Sequence, residues 1–303
     1  MIMFELMDLI EPEKVEKMIE NIGKARILIE AIKYIRAFYG KTFVIKYGGS
    51  AMVKPELKKG FIEDLVFLDF VGINIIVVHG GGASINILLR KLKIESKFFN
   101  GLRITDEETM DVVEMVLAGK INKGIVNDIQ TQGSNALGLS GKDSNLLKVK
   151  KKMVDGEDLG FVGEVTEVNT QFLKGILKNA LIPVIAPIGS DNLGNTYNIN
   201  ADEVALAISK ALNVEKLIYI TDVLGVLLDV NDNNSLISEL KTEQALSYIR
   251  EGKITEGMIP KVRSCIEAIN NDVKAVHIID GRIEHSLLLE IFTPQGIGTM
   301  FKK

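Results

Sequence analysis

Two β-branched runs that each close on adjacent glycines constrain this chain more than anything else in it. Phe43-Val44-Ile45-Lys46-Tyr47-Gly48-Gly49-Ser50 is the first, and Ile73-Asn74-Ile75-Ile76-Val77-Val78-His79-Gly80-Gly81-Gly82 repeats the device. Near-continuous apolar runs of this length read as buried strands of a parallel sheet. Each leads into a helical pattern, Phe61, Leu65, Leu68 and Phe70 after the first, Ile85, Leu88, Leu89 and Leu92 after the second. A βαβ unit built this way brings both glycine turns to one edge of the sheet. Without a Cβ, glycine lets another group approach the backbone N–H donors closely, and helix N-termini add positive partial charge there. An anion is the natural guest, and the Lys46 ammonium beside the first turn suits the spread charge of a transferring phosphoryl group.

The same alternation runs to the end of the chain. Strands are expected at Ala136-Leu137-Gly138-Leu139-Ser140, with its turn at Gly141-Lys142-Asp143, then at 181–187, at 216–222 and at 275–281. Lys148, Lys150, Lys151 and Lys152 read as a solvated hairpin edge. Thr105 with Glu108 is a capping-box pattern ahead of a long helix, and Pro260 suits the first turn of another. Residues 24–39 form an amphipathic helix stopped by Gly40, and Ile27, Ile29 and Tyr34 add apolar surface beyond one stripe, as in a well-covered core helix or one whose second face meets another subunit. The expected architecture is α/β: a three-layer, open, mostly parallel sheet with helices on both faces, in two closely joined lobes. The division is 1–40 as tail and helix, 41–213 as the first lobe and 214–303 as the second.

Composition removes several function classes. A net charge of −4, with no basic stripe, fits neither a nucleic-acid surface nor a polybasic membrane patch. The single Cys265 excludes a disulfide framework and has no partners at metal-ligand spacing, so no residue is assigned to a metal and zinc is not expected. No apolar run has the roughly 18 to 20 residues that a membrane span needs. Residues 1–20 carry six acidic side chains and two lysines, unlike a transit or signal peptide, so the protein is expected to stay in the cytoplasm. Gly40-Lys41-Thr42 mimics the end of a P-loop, but Ile35 stands where the leading glycine should be and the lysine feeds a strand. Gly296-Ile297-Gly298 runs on to Phe301, which disfavours a dinucleotide fingerprint.

Other candidates lie at the ends of these elements. In Asn100-Gly101-Leu102-Arg103, Arg103 is placed in a loop where a guanidinium could grip a carboxylate in two-pronged fashion, or else be an ordinary surface arginine. Asn198-Ile199-Asn200-Ala201-Asp202 precedes a helix and holds more polar groups than a cap requires. Thr221-Asp222 closes a strand ahead of Gly225, and Lys261 opens a helix after Gly257-Met258-Ile259-Pro260. His79 closes its strand either as a base or ligand or as a satisfied structural residue.

Taken in order, Lys46-Tyr47-Gly48-Gly49, His79-Gly80-Gly81-Gly82, Asn100-Gly101-Leu102-Arg103, Asn198 to Asp202, Tyr219-Ile220-Thr221-Asp222 and Gly257 to Lys261 strongly resemble the acetylglutamate kinases of the amino-acid kinase family. The resemblance covers nearly the whole chain from about Lys24 onward. It implies ATP-dependent phosphorylation of the side-chain carboxylate of N-acetyl-L-glutamate, the second step of arginine synthesis, with Mg²⁺ carried mainly on the nucleotide. It also implies that Lys46 and Lys261 stabilise the transition state and that Asp202 holds both. Gly48 and Gly49 would bind phosphate, and Gly81, Gly82, Arg103 and Asn198 the acceptor, with Gly81 also donating to phosphate oxygen. Thr221, Asp222 and Gly225 would hold ATP. The lobe 41–213 would then bind the acceptor, and 214–303 the nucleotide.

The stretch His285 to Thr293 with Gly296-Ile297-Gly298-Thr299 is similar to the arginine-binding end of feedback-inhibited members, which implies Tyr34, His285, Glu290 and Gly296 as effector residues. In those members an N-terminal helix interlaces dimers into a hexameric ring, so a homohexamer built as a trimer of dimers is expected. The chain departs from the family at Ala83-Ser84, where proline is usual, and at Asn270-Asn271-Asp272, where a glycine-bearing turn is usual. Two alternatives stay open: a kinase for acetylaminoadipate, one methylene longer, and a catalytically inactive arginine-sensing ring protein.

Overall fold

The computed structural model describes residues 12–254 and 257–303. Most of the acidic stretch 1–20 that the sequence left without a role lies outside them. Val, Ile, Phe and Tyr fill the strands Thr42–Tyr47 (β1) and Asn74–His79 (β2), nearly all buried. The helix between them, Pro55–Phe70, starts on a proline whose missing N–H costs nothing at that position. β1 and β2 pair in parallel from Thr42↔Asn74 to Tyr47↔His79, so the two glycine turns do share one edge. After β2 come the helix Gly82–Leu92 and a two-strand hairpin, Phe98–Phe99 (β3) and Leu102–Arg103 (β4). A long helical stretch runs through Glu107–Glu114, Met115–Ile121 and Asn122–Thr131, and its middle segment is π-helical.

The strands Ala136–Ser140 (β5), Leu147–Val154 (β6), Glu157–Val168 (β7), Ile182–Ala186 (β8), Ile188–Ser190 (β9) and Thr196–Asn198 (β10) follow, with the helix Thr170–Lys178 between β7 and β8. The last part adds the helix Ala201–Leu212, the strands Lys216–Thr221 (β11), Glu239–Lys241 (β12), Ala275–Asp280 (β13) and Thr299–Lys302 (β14), and the helices Thr242–Arg250, Ile259–Asn270 and Ser286–Phe292. Eight strands form one sheet in the order β12-β14-β13-β11-β1-β2-β8-β5, parallel throughout except where β13 meets β14. Residues 41–213 supply one half of it and 214–303 the other, meeting where β1 pairs with β11. The chain turns back at that seam, the kind of switch point beyond whose strand ends α/β proteins hold their ligands.

Strand alternation splits the core between the two faces. Val44, Ile76, Val78, Leu217 and Tyr219 join the helices Ala201–Leu212 and Ile259–Asn270 on one side. Phe43, Ile45, Ile75, Val77 and Ile218 join Pro55–Phe70 and Ser286–Phe292 on the other. No helix among the described residues is long and apolar enough to cross a membrane.

Several local expectations change. The expected hairpin edge at Lys148 to Lys152 belongs to a closed four-stranded barrel of β6, β7, β9 and β10, and its lysines pair with Glu167, Glu164, Asp158 and Glu203. The cap before Glu107 is Asp106, which accepts from Thr109 N at 2.9 Å, while the Thr105 hydroxyl donates to Arg103 O. Arg103 lies on β4 and not in a loop. The N-terminal helix is longer than expected, Pro12–Phe38, and leaves Ile27, Leu28 and Ile29 about two-thirds exposed. Asp272 takes the left-handed conformation, φ +65°, in the turn where glycine is usual.

Candidate active site

At the C-terminal edge of the sheet, the two glycine turns, β4 and the start of the helix Ala201–Leu212 enclose a cavity of about 300 Å³. Lys46, Gly48, Gly49, Gly81, Gly82, Arg103, Asn198 and Asp202 all line it. Lys46 points to the face of the sheet that carries Val44, and there it meets Asp202 in the first turn of its helix. The Lys46 Nζ stands 3.0 Å from Asp202 Oδ1 as an ion pair off the hydrogen-bond line, and Lys261 Nζ donates to Asp202 Oδ2 at 2.9 Å. Burial alone would raise the Asp202 carboxyl, but the two ammonium groups outweigh it and hold the carboxyl below its usual range. The carboxylate therefore stays ionised between two cations.

The polar run before this helix divides its labour. Asn200 is the cap, accepting from Asp202 N at 2.9 Å, whereas Asn198 closes β10 and reaches Thr105 Oγ1 at 3.4 Å. Tyr219, in register with Lys46 on the neighbouring strand, shares a hydrogen bond with Ser264 Oγ at 2.9 Å and donates to Asp202 O at 3.4 Å. It ties the helix of Lys261 to that of Asp202, a role that one tyrosine in an apolar strand did not announce.

Arg103 is buried across the cavity. Its guanidinium donates to Ser96 Oγ, to Asn86 Oδ1 at 2.7 Å and to Gly82 O at 3.4 Å, and packs on the Phe98 ring at 4.7 Å. All of these partners are neutral. Burial lowers its pKa below the usual guanidinium range, and an arginine stays charged in proteins. A cation held without a counter-ion among the described residues, at the wall of a cavity, suits an anionic ligand. Asn86 and Ser96, which hold it in place, belong to a helix face and a loop with no distinguishing sequence pattern.

Two glycines have close neighbours. Gly49 has φ +68°, and a Cβ there would lie 2.5 Å from Asp222 Oδ1. A Cβ on Gly81 would meet Leu117 at 2.4 Å and Ile121 at 2.5 Å, so the π-helical segment presses directly on the second turn. Asp222 lines a second, larger opening of about 760 Å³ that shares Gly49, Gly81 and Gly82 with the first. Thr221 is buried, its single hydroxyl proton placed between Val223 O at 3.1 Å and Ile279 O at 3.2 Å, and Gly225 packs against Thr299. Neither lines these two openings. His79 lies beneath its turn, fully buried and outside the cavity wall, so it is neither a ligand nor a base there.

The remaining candidates gather around the helix Ser286–Phe292. Glu290 is buried and fully engaged, neither an exposed helix-face charge nor an open anion. Oε1 accepts from His277 Nδ1 at 2.6 Å, and Oε2 accepts from Ile297 N at 2.7 Å and Gly298 N at 3.0 Å, with Gly296 directly against it. Burial pushes Glu290 up, but these hydrogen bonds and the His277 ring outweigh it and leave it below its usual value. Lys216 donates to the other nitrogen of His277 at 2.8 Å, and its ammonium lies 5.0 Å from the Phe38 ring of the N-terminal helix. Tyr34 meets Phe292 edge to face at 6.2 Å, while His285, at the start of the helix, bonds the buried Asp64 at 2.6 Å.

Comparisons with known proteins fit this geometry. Residues 41–280 match the model of the amino acid kinase family. An acetylglutamate kinase from Thermoanaerobacter pseudethanolicus is 54% identical over 284 residues, covering 94% of this chain and 95% of that protein. Among solved structures, N-acetylglutamate synthase from Neisseria gonorrhoeae, complexed with coenzyme A and N-acetyl-glutamate, superposes with a TM-score of 0.82 at 26% identity, over 92% of this chain and 63% of that one. The same synthase complexed with coenzyme A and L-arginine gives a TM-score of 0.76 at 25% identity, over 92% of this chain and 65% of that one. The chain thus spans less than two-thirds of the synthase.

Proposed function

The chain belongs to the amino acid kinase family, and from that premise we propose that it is an acetylglutamate kinase. It transfers the terminal phosphoryl group of ATP to the side-chain carboxylate of N-acetyl-L-glutamate, a step of arginine biosynthesis. The observation that carries this reading is the Asp202 carboxylate braced between Lys46 and Lys261 at the edge of a cavity whose far wall holds Arg103.

A carboxylate acceptor is ionised at neutral pH, so the reaction needs no general base. The difficulty is to bring two anions together and to neutralise the charge that spreads over the transferring group. Lys46 reaches that group from the acceptor side and Lys261 from the nucleotide side, both kept in place by Asp202. Gly48, Gly49 and Gly81 supply backbone donors to phosphate oxygens. Arg103 takes the α-carboxylate of the acceptor, with Gly82 and Asn198 beside it. Thr221, Asp222 and Gly225 belong to the nucleotide side, and in this reading residues 41–213 and 214–303 act as the acceptor and nucleotide lobes. Mg²⁺ arrives on the nucleotide.

Arginine is the proposed feedback effector, binding around Tyr34, His285, Glu290 and Gly296. Because Glu290 already accepts three hydrogen bonds, a guanidinium there must recruit or displace them, and the price in affinity would be coupled reciprocally to substrate binding. The exposed apolar face of the helix Pro12–Phe38 supports its use between subunits of a hexamer.

The test is turnover of ATP with acetylglutamate, acetylaminoadipate, glutamate and aspartate in parallel, trapping the acyl phosphate with hydroxylamine, with and without arginine. Product from acetylglutamate alone, reduced by arginine, is the expected result. Preference for the longer acceptor would overturn the substrate, and no product with any acceptor would overturn the activity.

A further inference from the structure

Gly80 is held from both sides. Its N–H donates to Tyr47 O at 2.8 Å, at the end of β1, and its carbonyl lies 2.9 Å from His79 Nδ1. A peptide group is planar and trans, so a carbonyl drawn toward the His79 ring sends the N–H of the same peptide, that of Gly81, in the opposite direction. No hydrogen bond among the described residues takes the Gly81 N–H, and Gly81 lines the cavity.

The far side of the ring is fixed by Asn122, which follows the π-helical segment. Asn122 Nδ2 lies 2.9 Å from Val184 O, 3.3 Å from Leu139 O and 3.2 Å from His79 Nε2. Two carbonyls can only accept, so the amide must turn its nitrogen toward them; one N–H goes to Val184 O, the other is shared between Leu139 O and His79 Nε2, and toward the ring the nitrogen is a donor only. The ring therefore carries its proton on Nδ1, where it bonds Gly80 O, and leaves Nε2 bare. Burial pushes the His79 pKa down to about 4, in keeping with a neutral ring. Asn122 Oδ1, meanwhile, is buried without a partner and faces Gly138, a position where a Cβ would come within 2.1 Å of it. Stability alone does not favour such an orphaned carbonyl, and π-turns of this kind recur at functional sites.

We propose that His79, fixed by Asn122, is a positioning residue that aims the Gly81 N–H into the cavity, at the oxygen of the transferring phosphoryl group or its acceptor. The inference rests on the kinase reading above for what that N–H meets, but not for the geometry of the ring.

Three variants and one spectrum test it on the full chain, with wild-type turnover of acetylglutamate measured alongside. His79→Asn keeps a donor near the Nδ1 position, and we expect kcat within about threefold of wild type. His79→Leu keeps the volume but no donor, and we expect kcat to fall about 10- to 100-fold, with KM for ATP and acetylglutamate changed less than about threefold. Asn122→Ala should give an intermediate loss in kcat. The chain has only three histidines, so ¹⁵N imidazole NMR identifies His79 by the signal that His79→Asn removes. That signal should show a protonated Nδ1 and a bare Nε2 at neutral pH.

A folded His79→Leu with wild-type kcat overturns the proposal, as does a folded His79→Asn no better than His79→Leu, or a His79 with Nε2 protonated. If His79→Leu does not fold, a folded His79→Asn whose kcat falls about 10-fold or more overturns the proposal, and the spectrum still applies. The spectrum needs no substrate, and wild-type turnover is scored separately, so failure of the kinase reading would not be mistaken for failure of this one.

Discussion

Asp202→Asn is the perturbation that bears most directly on the proposed chemistry. The carboxylate faces Lys46 at 3.0 Å and Lys261 at 2.9 Å, and its side chain is 22% exposed. At the effective dielectric of about 20 that suits such sites, each contact is worth roughly 5 kcal/mol of gross attraction, most of it offset by the desolvation of the three groups. The amide can still accept from one lysine, but its NH₂ faces the other as a donor against a donor. One lysine must then leave its place beside the transferring group, and the loss should resemble removal of a preorganised electrostatic donor, about 10² to 10³ in kcat. The KM for ATP should not rise, because lysines without their carboxylate remain free to meet phosphate. Stability should respond too. The native carboxyl is held below its usual pKa, so its contribution is present above the unfolded value near 4 and fades as pH falls through the lower native one. Wild type should therefore lose melting temperature below about pH 4 more steeply than the variant does. Hydroxylamine-trapped product and thermal melts across pH give both readings. A kcat within about threefold of wild type, or a loss confined to KM, would refute the bracing role.

Arg103→Lys replaces a buried fork held by Asn86 and Ser96 with a point charge, so KM for acetylglutamate should rise about 10- to 100-fold with little change in kcat, read from initial rates. Gly49→Ala places a Cβ against Asp222 in a left-handed backbone, and should cost about 1 to 3 kcal/mol of stability and most of the turnover, checked by denaturant melts and initial rates. Asp64, buried beneath His285, has its carboxyl raised to about 6, chiefly by desolvation. A raised acid stabilises the fold below its unfolded pKa near 4, and that contribution disappears as pH rises through about 6. Asp64→Asn should accordingly gain about 2 kcal/mol over wild type at pH 8 and lose that advantage near pH 4, measured by denaturant unfolding at both.

Much of the fold was legible because its causes are local. β1, β2, β8, β11 and β13 are continuous apolar runs, and β1, β2 and β13 each lead through a turn into a helix. The barrel was not legible. β9 and β10 are three residues each, and β6 carries lysines whose alternation says only that one side faces water, so closure depends on pairings such as Lys148↔Ser190 that no local pattern encodes. The Thr105 pattern misled for a related reason: Asp106 stands one residue closer to the helix and captures the N–H of Thr109, freeing Thr105 to join Arg103 to Asn198.

The site divides in the same way. Lys46, Asp202 and Lys261 could each be singled out as a polar group at the end of an apolar element, but their meeting could not, since it requires β1 to pair with β11 and the helices Ala201–Leu212 and Ile259–Asn270 to share one face of the sheet. That arrangement has a mechanical consequence. Asp202 and Lys46 belong to residues 41–213 and Lys261 and Tyr219 to 214–303, so the pair from Lys261 to Asp202 and the bond from the Tyr219 hydroxyl to Asp202 O cross between the two halves of the chain. Any change in their relative position must stretch the 2.9 Å contact of Lys261 with Asp202, which the proposed transfer needs for charge stabilisation, and a charge-assisted hydrogen bond loses its geometry over a shift that packed apolar side chains tolerate. A regulator that shifts one half against the other by a small amount would act on turnover through the placement of Lys261, without entering the cavity.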